Sequence, residues 1–140
     1  MNQKALKTLE FDKIIHRLTE HAASVEAKKK CTELVPVTSL WEIERAQTQT
    51  ADALRRIWQK GSISFGGIRD IRSSMKRLEI GGILGMGELR QIMSLLEAAG
   101  QVQKYGAHER DDEKADSLDE SFEFLDPVPA LCSEIRRCIL

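Results

Sequence analysis

The sequence is poor in the residue types that mark several protein classes. Its 140 residues include four Phe, two Trp, one Tyr and three Pro. So few aromatic side chains leave Leu, Ile, Met and Ala to fill the core, a composition that favours helices over strands. No apolar run approaches the ~20 residues of a membrane span. The three cysteines are an odd number, and the chain opens on amphipathic sequence, so we expect reduced thiols and a cytoplasmic location.

Apolar and charged residues are present in the proportions of an ordinary folded domain. They make up 41% and 31% of the chain, and the net charge is −1. The charge is unevenly distributed. Residues 109–126 contain nine acidic and two basic residues, a net charge of −7, so the other residues together carry a net charge of +6. A net charge of +6 outside the acidic segment is compatible with nucleic-acid contact but does not by itself indicate it.

Hydrophobic periodicity predicts an all-α fold, an irregular bundle of about six helices. Apolar residues recur at helical spacing over about 10–22, and Ser24 and Ser39 are typical N-caps for the next two helices, which end near Glu33 and Lys60. The helix after Ser39 has a stripe made of Leu40, Ile43, Thr50, Leu54 and Ile57. Because the stripe is thin in its middle, it indicates a partly solvated helix; the other interpretation is a face that contacts a partner helix through polar groups. Three further stripes predict helices over about 68–80, 86–106 and 131–139.

The chain is expected to divide into three parts. Residues 1–106 form a helical segment, residues 107–126 an acidic mobile loop without periodicity, and residues 127–140 the start of a last helix. Because that helix stops at Leu140 with its apolar stripe unfinished, we expect the chain to be part of a longer protein. A structural turn is predicted at Phe65, Gly66, Gly67 and Ile68, where paired glycines give access to positive φ.

Motifs for catalysis, cofactor binding or metal binding are missing. His16 and His21 are five residues apart and therefore lie on different sides of a helix, and no Cys-x-x-Cys pair exists. The sequence has neither a Walker A phosphate loop nor a nucleophile elbow, and Gly85-x-Gly87 is followed by Arg90 instead of a third glycine. We therefore assign no catalytic, cofactor or metal residue in this chain.

Four basic residues form the most suggestive charged set: Arg69, Arg72, Lys76 and Arg77. If one helix spans them, positions 69, 72 and 76 share a face beside the apolar stripe, as phosphate-contacting residues do. The other interpretation is a solvated face with salt bridges to Asp70, Glu79 or Glu88.

Several segments resemble bacterial MutS-related proteins of the second type. The resemblance begins with Thr8-Leu9-Glu10-Phe11-Asp12-Lys13-Ile14 and Leu34-Val35-Pro36. Its most specific part is Phe65-Gly66-Gly67-Ile68-Arg69-Asp70-Ile71, followed by Lys76-Arg77-Leu78-Glu79-Ile80-Gly81. It spans about residues 4–105 and returns near Leu131. One departure is Gly85-Met86-Gly87, where relatives tend to start a helix with Ser-Pro.

The resemblance implies that the chain is part of a larger multidomain protein. Such proteins have a helical core with levers and a clamp, an ATPase that binds ATP and magnesium, and usually a small MutS-related (Smr) endonuclease domain. They are homodimers associated with DNA repair, suppression of recombination, and rescue of ribosomes, which involves ribosomal RNA. This chain would be the first half of the core domain (domain III), leading into the first lever. DNA and the ribosome both stay open as the natural substrate.

The function expected on this basis is a non-catalytic scaffold segment that couples the ATPase to lever and clamp motion. Its partners would be the rest of its own chain, the second subunit, and DNA or the ribosome through the whole protein. The alternative is a module that binds nucleic acid directly through Arg69, Arg72, Lys76 and Arg77. For the segment itself no enzymatic activity is expected.

Overall fold

The computed structural model describes residues 3–66, 68–108 and 114–139, and within them it is entirely helical. Eight helices occur in these residues and no strand, which confirms the all-α prediction. They are α1 (Gln3–Thr8), α2 (Phe11–His21), α3 (Val25–Thr32), α4 (Leu40–Lys60), α5 (Arg72–Glu79), α6 (Met86–Gly106), α7 (Asp119–Glu123) and α8 (Pro129–Ile139). The sequence predicted about six, because α1 and α7 are too short to show an apolar period.

Local signals in the sequence set the ends of the longer helices. Ser24 Oγ accepts a hydrogen bond from the backbone N–H of Ala27 at 3.1 Å, and Ser39 caps α4 in the same way. Gly61 ends α4 with a φ of 82°, a conformation that glycine adopts at little cost. At the start of α6 the backbone N–H of Gly85 donates to Glu88 Oε2 at 2.9 Å. The helix therefore begins at Met86 without a Ser-Pro start.

The closest helix packing involves α6. It packs against α8 and α7, while α2 packs against α3 and α1. The buried apolar side chains belong to α6 and α8: Ile92, Val102 and Ile135. Arg136 of α8 forms an ion pair with Glu97 of α6 across this contact. Many other large apolar side chains are exposed, so the described core is small. Among the described residues, no helix is both long and apolar enough to cross a membrane.

The buried face of α4 is not its apolar stripe. Its apolar stripe is largely exposed, with Leu40 68%, Leu54 45% and Ile57 45% accessible. The buried residues of α4 are instead Asp52 and Arg56, on the other side of the helix. The exposed stripe agrees with the partly solvated helix that the sequence indicated, and α4 is attached through charged side chains.

The acidic loop expected over residues 107–126 needs a correction. Residues 109–113 lie outside the described part of the chain. Beyond them, residues 114–126 include α7, and the side chains of Asp116 and Asp119 are largely buried against Arg56. The lack of apolar periodicity was misleading because this segment is held by ion pairs.

The turn between α4 and α5 is only partly described. Phe65, Gly66 and Ile68 are non-helical, and Gly67 lies outside the described residues. Among the described glycines, positive φ occurs at Gly61 and Gly81. Gly66 therefore does not use this region.

Candidate functional site

The four predicted basic residues do not share one helix face. Helix α5 begins at Arg72, so Arg69 precedes it in the non-helical segment. The prediction extended the helix back to Ile68, because the apolar spacing of Ile68 and Ile71 continues into that of Met75. Only Arg72, Lys76 and Arg77 lie on α5.

Ion pairs occupy two of these four residues. Arg72 Nε lies 2.9 Å from an oxygen of Asp70, and Arg72 Nη2 lies 2.6 Å from Glu26 Oε1 on α3. The hydrogen bonds from Arg72 lower the pKa of Asp70 to about 2. These contacts fit the second interpretation of the basic segment, a solvated face with salt bridges, and add Glu26 to the expected partners.

Arg77, the second of the two paired basic residues, contacts Glu88. Glu88 forms an ion pair with Arg77, accepts a hydrogen bond from Ser74 Oγ at 3.0 Å, and caps α6 through Gly85. One carboxylate therefore connects α5 to the start of α6. Arg69 and Lys76 are exposed. Contact of any of the four bases with nucleic acid stays a prediction.

A second charged cluster lies between α4 and the segment that contains α7. We call it the Arg56 junction and define it by Arg56, Asp52, Asp116, Ser117 and Asp119. Arg56 Nε and Nη2 donate to the two oxygens of Asp116 at 2.7 and 2.9 Å, and Nη2 also pairs with Asp119. The side chains of Arg56 and Asp116 are only 4% and 5% exposed, so this ion pair is buried.

Asp52, one turn before Arg56, makes the second contact between α4 and this segment. Its Oδ2 accepts hydrogen bonds from the backbone N–H of Ser117 at 3.0 Å and from Ser117 Oγ at 2.6 Å. Arg55 Nη2 lies 2.8 Å from the other carboxylate oxygen of Asp52. Consecutive turns of α4 thus hold consecutive residues, Asp116 and Ser117.

The Arg56 side chain also reaches the end of α6. Its Nη1 donates to the carbonyl oxygen of Gly106 at 2.8 Å, and its guanidinium lies 4.8 Å from the centre of the Phe122 ring. Phe122 rests against Gly106, where an added Cβ would collide with the ring. Glycine at position 106 therefore lets α7 and Arg56 both approach the end of α6.

Two further hydrogen bonds join the end of α4 to the end of α6. Lys60 Nζ donates to the carbonyl oxygen of Ala107 at 2.5 Å, and Tyr105 Oη donates to the carbonyl oxygen of Gly61 at 2.8 Å. These contacts extend the attachment of α4 beyond the junction itself.

The junction keeps its carboxylates ionised. Hydrogen bonds from Arg56 lower the pKa of Asp116, and hydrogen bonds from Ser117 lower that of Asp52. Burial opposes ionisation of Asp119, but the backbone N–H of Asp116, with His108 and Arg56, outweighs it and lowers that pKa as well. Carboxyl groups that stay charged at neutral pH are unsuited to general acid catalysis. The arrangement instead fixes the relative position of α4, α6 and α7.

Sequence reasoning missed the Arg56 junction. One signal was available. The acidic segment has a net charge of −7, which favours pairing with basic residues, and Arg55-Arg56 is a basic pair inside a helix. However, no local pattern specifies a contact between residues that are sixty positions apart.

Neither metal ligation nor disulfide bonding is evident in the described residues. They contain no group of three or more His, Cys, Asp or Glu side chains placed to hold a metal ion. Cys31, Cys132 and Cys138 are free thiols, of which Cys138 is exposed.

Comparison with known proteins yields one consistent group of relatives. No protein-family model matches the chain. It is 51% identical over 140 residues to Endonuclease MutS2 of Agathobacter rectalis, and 44% identical over 145 residues to Endonuclease MutS2 of Lachnoclostridium phytofermentans. Both alignments cover all of this chain. The chain is therefore related to the bacterial MutS2 proteins.

The MutS2 relatives are much longer than this chain. It spans 18% of the Agathobacter rectalis and Lachnoclostridium phytofermentans proteins, and 17% of Endonuclease MutS2 of Lachnospira eligens, to which it is 40% identical. These alignments extend over the whole chain, and so include the Arg56 junction and the acidic segment that the resemblance seen in the sequence left unplaced.

Proposed function

We propose that this chain is a non-catalytic scaffold segment of a MutS2-type protein, the first half of its helical core, and that it carries ATPase-driven motion towards the lever and clamp. The proposal is supported by similarity to MutS2 proteins over the whole chain and by the small share of those proteins that the chain spans. Nuclease activity, named for those relatives, and binding of ATP and magnesium are assigned to other parts of the longer protein.

The observation that carries this proposal is the Arg56 junction. Helix α4 is not among the helix pairs with the closest backbone packing in the described residues, so its attachment depends on long charged side chains. Their hydrogen bonds are directional, and a buried arginine whose donors are aimed at fixed acceptors holds one geometry. Motion applied to α4 is then passed to α6 and α7 rather than lost in a loose contact.

For the whole protein we propose a cytoplasmic homodimer that acts on DNA, on the ribosome and its RNA, or on both. Roles in DNA repair, in suppression of recombination and in ribosome rescue follow from the family resemblance. In each case this segment would meet its substrate through the rest of the protein.

A segment exchange tests the scaffold function. This chain replaces the matching segment of the Agathobacter rectalis protein, and ATP turnover and DNA cleavage are measured with and without DNA. We expect the exchange to preserve both activities, and Arg56→Lys to lower the DNA-dependent change in ATP turnover while basal turnover stays the same. If the purified 140-residue chain hydrolyses ATP or cuts DNA by itself, the proposal is wrong.

The alternative function, direct binding of nucleic acid, is supported by the exposure of Arg69 and Lys76. Arg69 precedes α5 and Lys76 lies within it, so the two residues do not share one helix face. Ion pairing of Arg72 and Arg77 with carboxylates counts against the alternative, because neutralised bases release fewer counterions from a phosphate backbone.

A further inference from the structure

The segment between α7 and α8 contains a residue in a strained backbone conformation. Val128 directly precedes α8 and has a φ of 38°. Among the described residues other than glycine, positive φ occurs at Glu10 and Val128. This region is costly for valine, whose side chain branches at Cβ, and a residue before proline favours extended backbone. Because Pro129 follows Val128, the local sequence opposes the observed conformation for two separate reasons.

The chain just before Val128 is attached to α6. Gln103 Nε2 donates a hydrogen bond to the carbonyl oxygen of Leu125 at 2.6 Å. Pro127 lies beside Gly100, with its Cβ 3.5 Å from the position that a Cβ at Gly100 would take. Together these contacts hold the chain on α6 as far as Val128, without any contribution from α8.

The chain after Val128 is attached to the same helix. Helix α8 packs against α6, its residue Ile135 is buried, and Arg136 forms an ion pair with Glu97 of α6. Val128 therefore lies between two attachments to α6. A strained backbone persists only where the surrounding structure fixes it. Docking of α8 on α6 is thus what keeps the φ of Val128 positive.

Rotation about the N–Cα bond of Val128 would separate these two attachments. Asp126 Oδ1 accepts a hydrogen bond from the backbone N–H of Val128 at 3.0 Å, and this N–H lies before the rotating bond. The contacts of Leu125 and Pro127 with α6 also lie before it. The carbonyl oxygen of Val128 lies after the bond and accepts the N–H of Cys132 at 3.2 Å, at the start of α8. A change in this φ therefore moves α8 as a unit and leaves the preceding contacts in place.

We propose that Val128 is a strained hinge about which α8 detaches from α6 while the other helices stay packed. Burial of Ile135 and the ion pair of Arg136 favour the docked position, and the strain at Val128 opposes it. Relaxation of φ from 38° to an ordinary extended value of about −75° turns α8 through roughly 110°. The hinge goes beyond the proposed scaffold function, because the Arg56 junction joins α4, α6 and α7 but does not include α8.

Hydrogen–deuterium exchange of the 140-residue chain, followed by mass spectrometry, tests the hinge. We expect the backbone amides of α8 to be at least about tenfold less protected than those of α6, because α8 opens without the rest. Val128→Asn is expected to raise the protection of α8 about tenfold and to leave that of α6 unchanged. Asparagine tolerates positive φ, so the docked position is no longer opposed by strain.

Two further variants make the test specific. Val35→Asn is the matched control, because Val35 also precedes a proline in a non-helical segment but does not have positive φ. This change should leave the exchange of α8 as it is. Glu97→Gln removes the charged partner of Arg136, and should lower the protection of α8 about two- to fivefold.

Three results would overturn the hinge. The first is equal protection of α8 and α6 in the unaltered chain, and the second is a Val128→Asn variant in which α8 is no better protected. The third is a Glu97→Gln effect that spreads equally over α6, since α8 would then not open alone. Circular dichroism checks that each variant keeps its helices. The exchange is measured without ATP or DNA, so failure of the scaffold function would not change these results.

Discussion

Arg56 of α4 and Asp116, sixty positions later in the chain, form a two-pronged ion pair with N–O distances of 2.7 and 2.9 Å. Both side chains are almost fully buried. The pair links α4 to the acidic segment, and through the carbonyl oxygen of Gly106 the Arg56 side chain also links α4 to α6. Charged groups, rather than apolar packing, therefore hold α4 in place.

Breaking this pair from one side is expected to destabilise the chain strongly. Arg56→Met removes the main cationic partner of Asp116 and one of the partners of Asp119, and loss of one partner of a buried pair costs about 3–5 kcal/mol. Urea unfolding of Arg56→Met, Asp116→Asn and the double variant should give a coupling energy of about 1–3 kcal/mol. Arg137→Ala removes an exposed pair with Glu134 and should change stability by less than about 0.5 kcal/mol. Additive effects of the two junction variants would contradict the assignment.

The junction also makes stability depend on pH. The pKa values of Asp52, Asp116 and Asp119 are lowered in the folded chain from their ordinary value of 3.8. The stability they contribute is therefore present above that value, and it is lost as the pH falls below it and the carboxylates take up protons. Urea unfolding measured from neutral pH downwards should show this loss, with a shallower slope in Asp116→Asn. The same slope in both proteins would argue against ionised carboxylates in the junction.

Replacing each of two glycines of α6 by alanine should change the stability of the chain in opposite directions. Gly106→Ala forces a Cβ into Phe122 and should destabilise the chain by about 1–3 kcal/mol. Gly100→Ala meets only Pro127 Cβ at an ordinary contact distance of 3.5 Å, and should stabilise the helix by up to about 1 kcal/mol. Thermal unfolding measures both. A neutral Gly106→Ala would show that α7 does not pack against the end of α6.

The alternative function makes its own prediction for the basic segment. If the chain binds branched DNA or ribosomal RNA, Arg69→Ala with Lys76→Ala should reduce the slope of log affinity against log salt by about 2. Arg72→Ala with Arg77→Ala should reduce it less, because Asp70 and Glu88 already neutralise those bases. Fluorescence anisotropy at several salt concentrations measures the slopes, and no change in either variant would remove these residues from the interface.

The sequence was most informative where a signal is local. Ser24, Ser39 and Gly61 indicated the ends of α3 and α4, because a cap depends on neighbours within a few residues. The orientation of α4 could not be predicted in this way. Contacts with Asp116 and Ser117 determine which side of α4 is buried. The position of these two residues depends on the path of the chain between them and α4.

The same limit applies to the candidate sites. The sequence indicated Asp70 and Glu88 as salt-bridge partners of the basic segment because they are near it in the chain, and they pair with Arg72 and Arg77. Glu26, the other partner of Arg72, lies 46 positions away and was missed. The false helix start at Ile68 had a different cause, since an apolar residue before a helix can match its period without belonging to it.

The most direct test of the central claim is the distance between α4 and α6 in a working protein. This segment replaces the matching segment of a cysteine-free Agathobacter rectalis protein, and spin labels are attached at Thr48 and Lys104. Pulsed electron resonance then measures the distance between the two labels. If the junction makes α4 and α6 one unit, the distance is the same with and without ATP, and Arg56→Lys broadens it. A shift of the α4–α6 distance on ATP binding would contradict the claim that this segment moves as a rigid scaffold.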